Sequence, residues 1–128
     1  DVGAYIDIEN LHVEGEYIYK TYENGVFPAT QSLSTFAAYD IWMNQPFLQK
    51  ITPLLRFDQM TDNNKGMPDE NNSYPVNDIA GKRLTGGVTF SLAKPFLNDI
   101  RLNYEKYFYA EGVENKDDKL VLEFVVRF

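Results

Sequence analysis

The sequence contains no cysteine, which removes disulfide staples, thiolate chemistry and cysteine-built zinc sites without identifying a compartment. It has no apolar run approaching the ~20 residues that a membrane-spanning helix needs. A helical membrane protein is therefore excluded. Glycine-rich phosphate loops, nucleophile elbows and zinc-ligand spacings are absent as well. The single histidine, His12, shares a strand face with Glu14 and Glu16, a spacing that would allow part of a metal site but is expected to be a solvated strand face. No catalytic set emerges, and the chain is expected to be neither an enzyme nor a cofactor carrier. A net charge of -7 speaks against a nucleic-acid reader.

What the sequence does have is alternation. In Lys119–Phe128 the residues Leu120, Leu122, Phe124, Val126 and Phe128 fall on one strand face, while Lys119, Val121, Glu123, Val125 and Arg127 fall on the other. A soluble domain would produce this pattern by laying the apolar face on a core. Chain ends usually fray, yet here a large apolar residue stays in phase to the last position, as if that end were embedded or recognised.

The same period runs through the rest of the chain. Strands are expected over Val2 to Glu9, Leu11 to Tyr22, Ser32 to Met43, Phe47 to Met60, Gly81 to Leu92, Asn98 to Tyr109 and Lys119 to Phe128, seven in all, with no helix. Two residues around Asn10 make the first pair a tight hairpin. Pro53 cannot donate to a ladder and predicts a bulge or a locally unpaired edge. Gly86-Gly87 would let the fifth strand bend. Lys106 interrupts an apolar face where a long side chain could reach an interface. Thr61 to Ala80 is rich in Asn, Asp, Gly and Pro. It reads as a mobile loop, and its oxygen ligands lack the spacing of a calcium-binding loop.

Connections alternate too. Those near Asn10, Asn44 to Pro46 and Lys94 to Phe96 are short, whereas Glu23 to Thr30, Thr61 to Ala80 and Glu111 to Asp118 are longer and polar. Short periplasmic turns and longer external loops characterise transmembrane barrels. Expected strand lengths of roughly ten to twelve residues suit a tilted bilayer span, and 15% aromatic residues suit interfacial girdles. The expected fold is all-β, an antiparallel up-and-down transmembrane β-barrel, with residues 1–128 forming the C-terminal portion of one barrel domain. No signal peptide opens at Asp1. Since a barrel protein needs one to leave the cytoplasm, a mature fragment lacking its beginning is expected.

Val13–Lys20, Ile51–Asp58, Gly86–Leu92, Ile100–Tyr104 and Leu120–Phe128 resemble the C-terminal part of the phosphate-selective porin O and P family in its Bacteroidetes form. Bacterial barrels of this kind have even strand numbers, so the remaining strands would come from a missing N-terminal part or a second chain. The resemblance implies a cell outer-membrane location, contact with outer-membrane lipid and the barrel-assembly machinery, a homo-oligomer that is commonly a trimer, and passage of small hydrophilic solutes, anions among them. The terminal strand resembles the assembly signal of outer-membrane barrels, which would place that role on Phe124, Val126 and Phe128.

The face assignment follows from the period. Leu84, Val88, Phe90, Leu102, Tyr104, Leu122 and Phe124 are expected toward lipid. Lys20, Lys50, Arg56, Asp58, Arg83, Thr85, Arg101, Glu105, Glu123 and Arg127 are expected to line the pore. Arg and Lys would form an anion path only if segregated from the acids, the alternative being interstrand ion pairs that rigidify the wall. Two other functions fit the same pattern: a soluble β-barrel binding a small apolar ligand, and a non-conducting structural barrel of the outer membrane.

Overall fold

The computed structural model describes residues 1–93, 98–110 and 117–126. Eight strands form one antiparallel sheet: β1 (Val2–Ile8), β2 (Leu11–Lys20), β3 (Thr30–Tyr39), β4 (Ile41–Trp42), β5 (Leu48–Met60), β6 (Gly81–Leu92), β7 (Asn98–Phe108) and β8 (Lys119–Val126). Among the described residues there is no α-helix, only a 3-10 turn at Glu23–Gly25. Each long strand pairs with its neighbour in sequence, giving the order β1-β2-β3-β5-β6-β7-β8, with β4 on the flank of β5. This is the expected up-and-down meander. It is not closed as a barrel, because β1 and β8 are both edges.

Eight strands replace the expected seven because the third is cut at Asp40. Opposite it, β5 pairs with β3 up to Leu54 and with β4 from Ile51. Pro53, which has no N–H to offer, falls in that gap while still pairing with Val88 on its other side. Side chains fill the break: Lys50 Nζ and Thr52 Oγ1 donate to the two Asp40 oxygens at 2.8 and 2.7 Å. Pro53 thus marks the expected local loss of pairing, and the bulge itself lies between Leu48 and Lys50. The β1–β2 turn is the two residues Glu9-Asn10, with Glu9 at φ 50, so Glu9 belongs to the turn and not to the wall.

Register carries the alternation across the whole sheet. Ile41, Ile51, Phe90, Ile100 and Phe124 stand opposite one another in succession, as do Val88, Leu102 and Leu122. Directly paired residues share a face, so all seven residues expected toward lipid lie on one apolar surface. That surface is open: Leu55, Leu122 and Phe124 are 55%, 57% and 68% exposed. The buried residues are instead mostly polar, Thr30, Asn64, Thr85 and Asp99, with Phe27 the only buried hydrophobic side chain among the described residues. The chain exposes 9494 Å², against about 7000 Å² for a compact protein of this length. The hydrophobic effect has therefore no interior to act on within this sheet. Tyr19, Tyr39 and Phe108 sit at or next to strand ends on the apolar face, whereas Val13, Ala37, Leu55, Val88, Leu102 and Leu122 occupy its middle.

Candidate functional site

The polar face is concave. A hollow of about 400 Å³ is lined by Phe36 of β3, Lys50 and Thr52 of β5, Thr89 of β6, Asp99 and Arg101 of β7 and Glu123 of β8. Residues of five successive strands can border one hollow only if the sheet curls toward this side. Such curling encloses Thr85 and Asp99, at 7% and 5% exposure, and opens the apolar face.

Charges on this face form an interstrand ladder. Asp58 accepts from Ser34 Oγ at 2.9 Å, from Arg56 Nε at 2.9 Å and from Arg83 Nε and Nη2 at 3.0 and 2.9 Å, tying β3, β5 and β6 together. Arg83 reaches on to Glu105 at 3.7 Å, and Glu105 accepts from the Tyr107 hydroxyl at 2.5 Å. Arg101 lies 4.0 Å from Asp99 and 3.8 Å from Glu123. Every arginine of the described polar face thus touches a carboxylate. The cations are interleaved with acids and not segregated from them, which is the ion-paired arrangement of the two expected. Such partly exposed pairs add little stability singly, about 0–1 kcal/mol each.

Of the residues expected to line a pore, Lys50, Arg56, Asp58, Arg83, Thr85, Arg101, Glu105 and Glu123 lie on the polar face. Lys20 is drawn to a loop, as described below. Arg127 and Phe128 lie outside the described residues, as do the turn at 94–97 and loop positions 111–116, while Phe124 and Val126 occupy the apolar face of β8. Sequence reasoning missed Asp99, Ser34 and Tyr107 as members of the ladder. Asp99 was in phase with Arg101 and legible as an inward carboxylate; the serine and tyrosine carried no signal, since their partners are on other strands.

His12 sits between Asp7, 2.5 Å from Nδ1, and Glu14, 3.4 Å from Nε2, with Tyr5 and Phe36 rings on either side at 6.2 and 5.9 Å. Among the described residues no group of three or more His, Asp or Glu could hold a metal ion. The 61–80 loop uses its carboxylates on itself: Asp69 accepts from Asn71 N and Ser73 N, and Asp62 from Ala80 N.

That loop is tied down, contrary to the expectation of a mobile segment. Asn64 is fully buried. Its Nδ2 donates to Pro75 O at 2.5 Å and its Oδ1 accepts from Gly66 N at 2.6 Å. Its backbone is gripped from the wall: Lys20 Nζ donates to Asn64 O at 2.7 Å, and the Tyr22 hydroxyl accepts from Asn64 N at 3.1 Å. Partial burial works to raise the Tyr22 phenol, but the hydrogen bonds around it, Lys20 foremost, prevail and hold it below its ordinary value. Between loop and polar face lies a cleft of about 660 Å³ that includes Asp58, Asp78, Arg83, Tyr107 and Lys119. Asn64→Ala removes two side-chain hydrogen bonds, a loss of about 1–3 kcal/mol. Faster proteolytic nicking within 65–77, with unchanged far-UV circular dichroism, is the expected result; unchanged nicking would show that Asn64 does not hold the loop.

Gly87 permits close approach of the neighbouring strand: a Cβ there would stand 1.9 Å from Asn103 Oδ1 and 3.0 Å from Leu102 O, whereas one on Gly86 would meet nothing. No protein family, curated protein or solved structure matches the chain.

Proposed function

We propose that this chain is part of the wall of an outer-membrane β-barrel, with the apolar face toward lipid and the ion-paired face toward a water-filled pore for small hydrophilic solutes. The observation that carries this reading is the inverted burial: a largely apolar surface left open while Thr85 and Asp99 are enclosed on the concave side. In water such a surface far exceeds the few hundred Å² that a monomer tolerates. In a bilayer it is the ordinary arrangement, since lipid solvates the outside and the backbone groups are satisfied between strands. Strands of 10 to 13 residues in β2, β3, β5, β6 and β7 cover the tilted span of a hydrocarbon core.

The resemblance to the phosphate-selective porin O and P family favours a conducting pore over a structural barrel. Each described arginine of this wall already meets a carboxylate, so the described residues supply size exclusion and hydration more than anion capture. Phe124 and Val126, in phase with Phe128, are the residues the barrel-assembly machinery would read, and trimer formation would follow the same family pattern. The test combines three measurements on the polypeptide as cells produce it. It should lose monodispersity when detergent is removed, give ohmic single-channel conductance in planar bilayers, and be recovered less from the outer membrane as Phe128→Ala. Monodisperse protein without detergent would point to the soluble ligand-binding barrel. Detergent dependence without conductance would point to the structural one.

A further inference from the structure

The two edges of the sheet differ in charge, and the difference specifies a neighbour. Across β5 to β8 the inward carboxylates Asp58, Asp99, Glu105 and Glu123 each lie within ion-pairing distance of an arginine, and Asp40 has Lys50. The pattern changes at β1 and β2, where His12 is the one basic partner of Asp7 and Glu14 among the described residues. Asp7, Glu14 and Glu16 are the charged groups their inner faces carry through mid-strand, together with the lone His12. Lys20, at the far end of β2, is turned to Asn63 and Asn64. Arg56 borders the same hollow as Glu14 and Glu16, but its ion pair is with Asp58.

That hollow, about 420 Å³, is lined by Gly3, Tyr5, Glu14, Glu16, Ser34 and Arg56 among others, and so opens at the sheet edge. Its rim on β1 is Gly3, which faces Glu16 in the register and has no side chain to close the way. A Cβ at Gly3 would meet only ordinary contacts, at 3.6 Å from Gly15 O. The gap is therefore room for a side chain arriving from outside and not a packing necessity of β1.

A second copy of this chain is a poor source. The seven long described strands leave β1 and β8 running in the same direction, so joining these two edges head to tail would give a parallel pair. A two-fold pair through β1 would set one acidic strand pair against another, which like-charge repulsion opposes.

Resting on the barrel-wall reading, we propose that the β1 edge receives a different strand, antiparallel to β1 and apolar on its outer face, whose inner face carries lysine or arginine opposite Gly3 and Asp7. The cation opposite Gly3 passes over the glycine to Glu16 and Glu14. The one opposite Asp7 completes the Asp7–His12 pair. Backbone pairing supplies the attachment and these two cations supply the register, since a one-residue slip would turn them to lipid.

The chain lacks cysteine, so single cysteines can trap the neighbour. Tyr5→Cys sits between Gly3 and Asp7 on the inner face of β1, and Val121→Cys serves as the corresponding position on β8. Two synthetic strands are the probes, each alternating leucine outward, with a central inward cysteine flanked on the inward side by two lysines or by two glutamates. In detergent micelles at low salt, the lysine strand should be disulfide-trapped at Tyr5→Cys roughly tenfold more than the glutamate strand. The preference should collapse in Asp7→Asn/Glu16→Gln and shrink at high salt. Equal trapping of both strands at Tyr5→Cys, a preference for glutamate, or trapping at Val121→Cys alone would overturn the proposal while leaving the wall reading intact. Protein that stays monodisperse without detergent would instead overturn the wall reading, and the neighbour with it.

Discussion

Leu122→Arg should destabilise the inserted sheet by about 2–4 kcal/mol, the cost of an arginine on the lipid face near mid-bilayer. Leu122 stands opposite Leu102 in the middle of the apolar surface and is 57% exposed, so no protein group there could pair with a guanidinium. Val121→Arg, one residue away on the same strand, points to the polar side and should change stability by no more than about 0.5–1 kcal/mol. Val126→Arg, at the end of β8 on the apolar face, should fall to about 0–1 kcal/mol because the side chain can reach the interface. The graded series is what distinguishes lipid from a protein core. Reversible denaturant unfolding from lipid vesicles would measure it, and equal losses at positions 121, 122 and 126 would reject the orientation. Thr85, an inward position by phase, is unsuited to this comparison because at 7% exposure an arginine would overpack its surroundings.

The second large effect is on selectivity. Asp58→Asn should shift permeability toward anions by about two- to threefold, the effect of removing one charge some 8 Å from a permeating ion in a water-filled channel. Asp58 holds both Arg56 and Arg83. The amide keeps the shape and can still accept from Ser34, but it no longer neutralises either guanidinium. Arg83 retains Glu105 at 3.7 Å, and the groups are partly exposed, so the loss of stability should be only about 1 kcal/mol. Reversal potentials under a salt gradient in planar bilayers give the ratio. An unchanged potential would mean that this ladder does not face the conducting path.

The strand list was readable because a period of two is written residue by residue, and only one arrangement of Leu84, Leu102 and Leu122 puts all of them on a common face. Short turns leave little choice of neighbours for the strands they join, whereas the pairing of β5 with β6 across residues 61–80 depends on the fold. Pro53 announced a defect, since a missing N–H is a property of the residue itself. What it did to the strand beside it was not announced: the break at Asp40 depends on which backbone lies across from Pro53.

The sequence by itself determined the secondary structure, the segregation of apolar from polar faces and the inward phase of the arginines, because each is a local consequence of side-chain alternation. Tertiary structure alone decided that the sheet stays open, that it curls toward its polar side, that Asn64 is buried under Lys20 and Tyr22, and that every described inward arginine meets a carboxylate while Asp7 and Glu14 have only His12. Those outcomes depend on distances between residues of different strands and on the sum of strand twist over the sheet, and neither quantity is carried by any one segment of the chain.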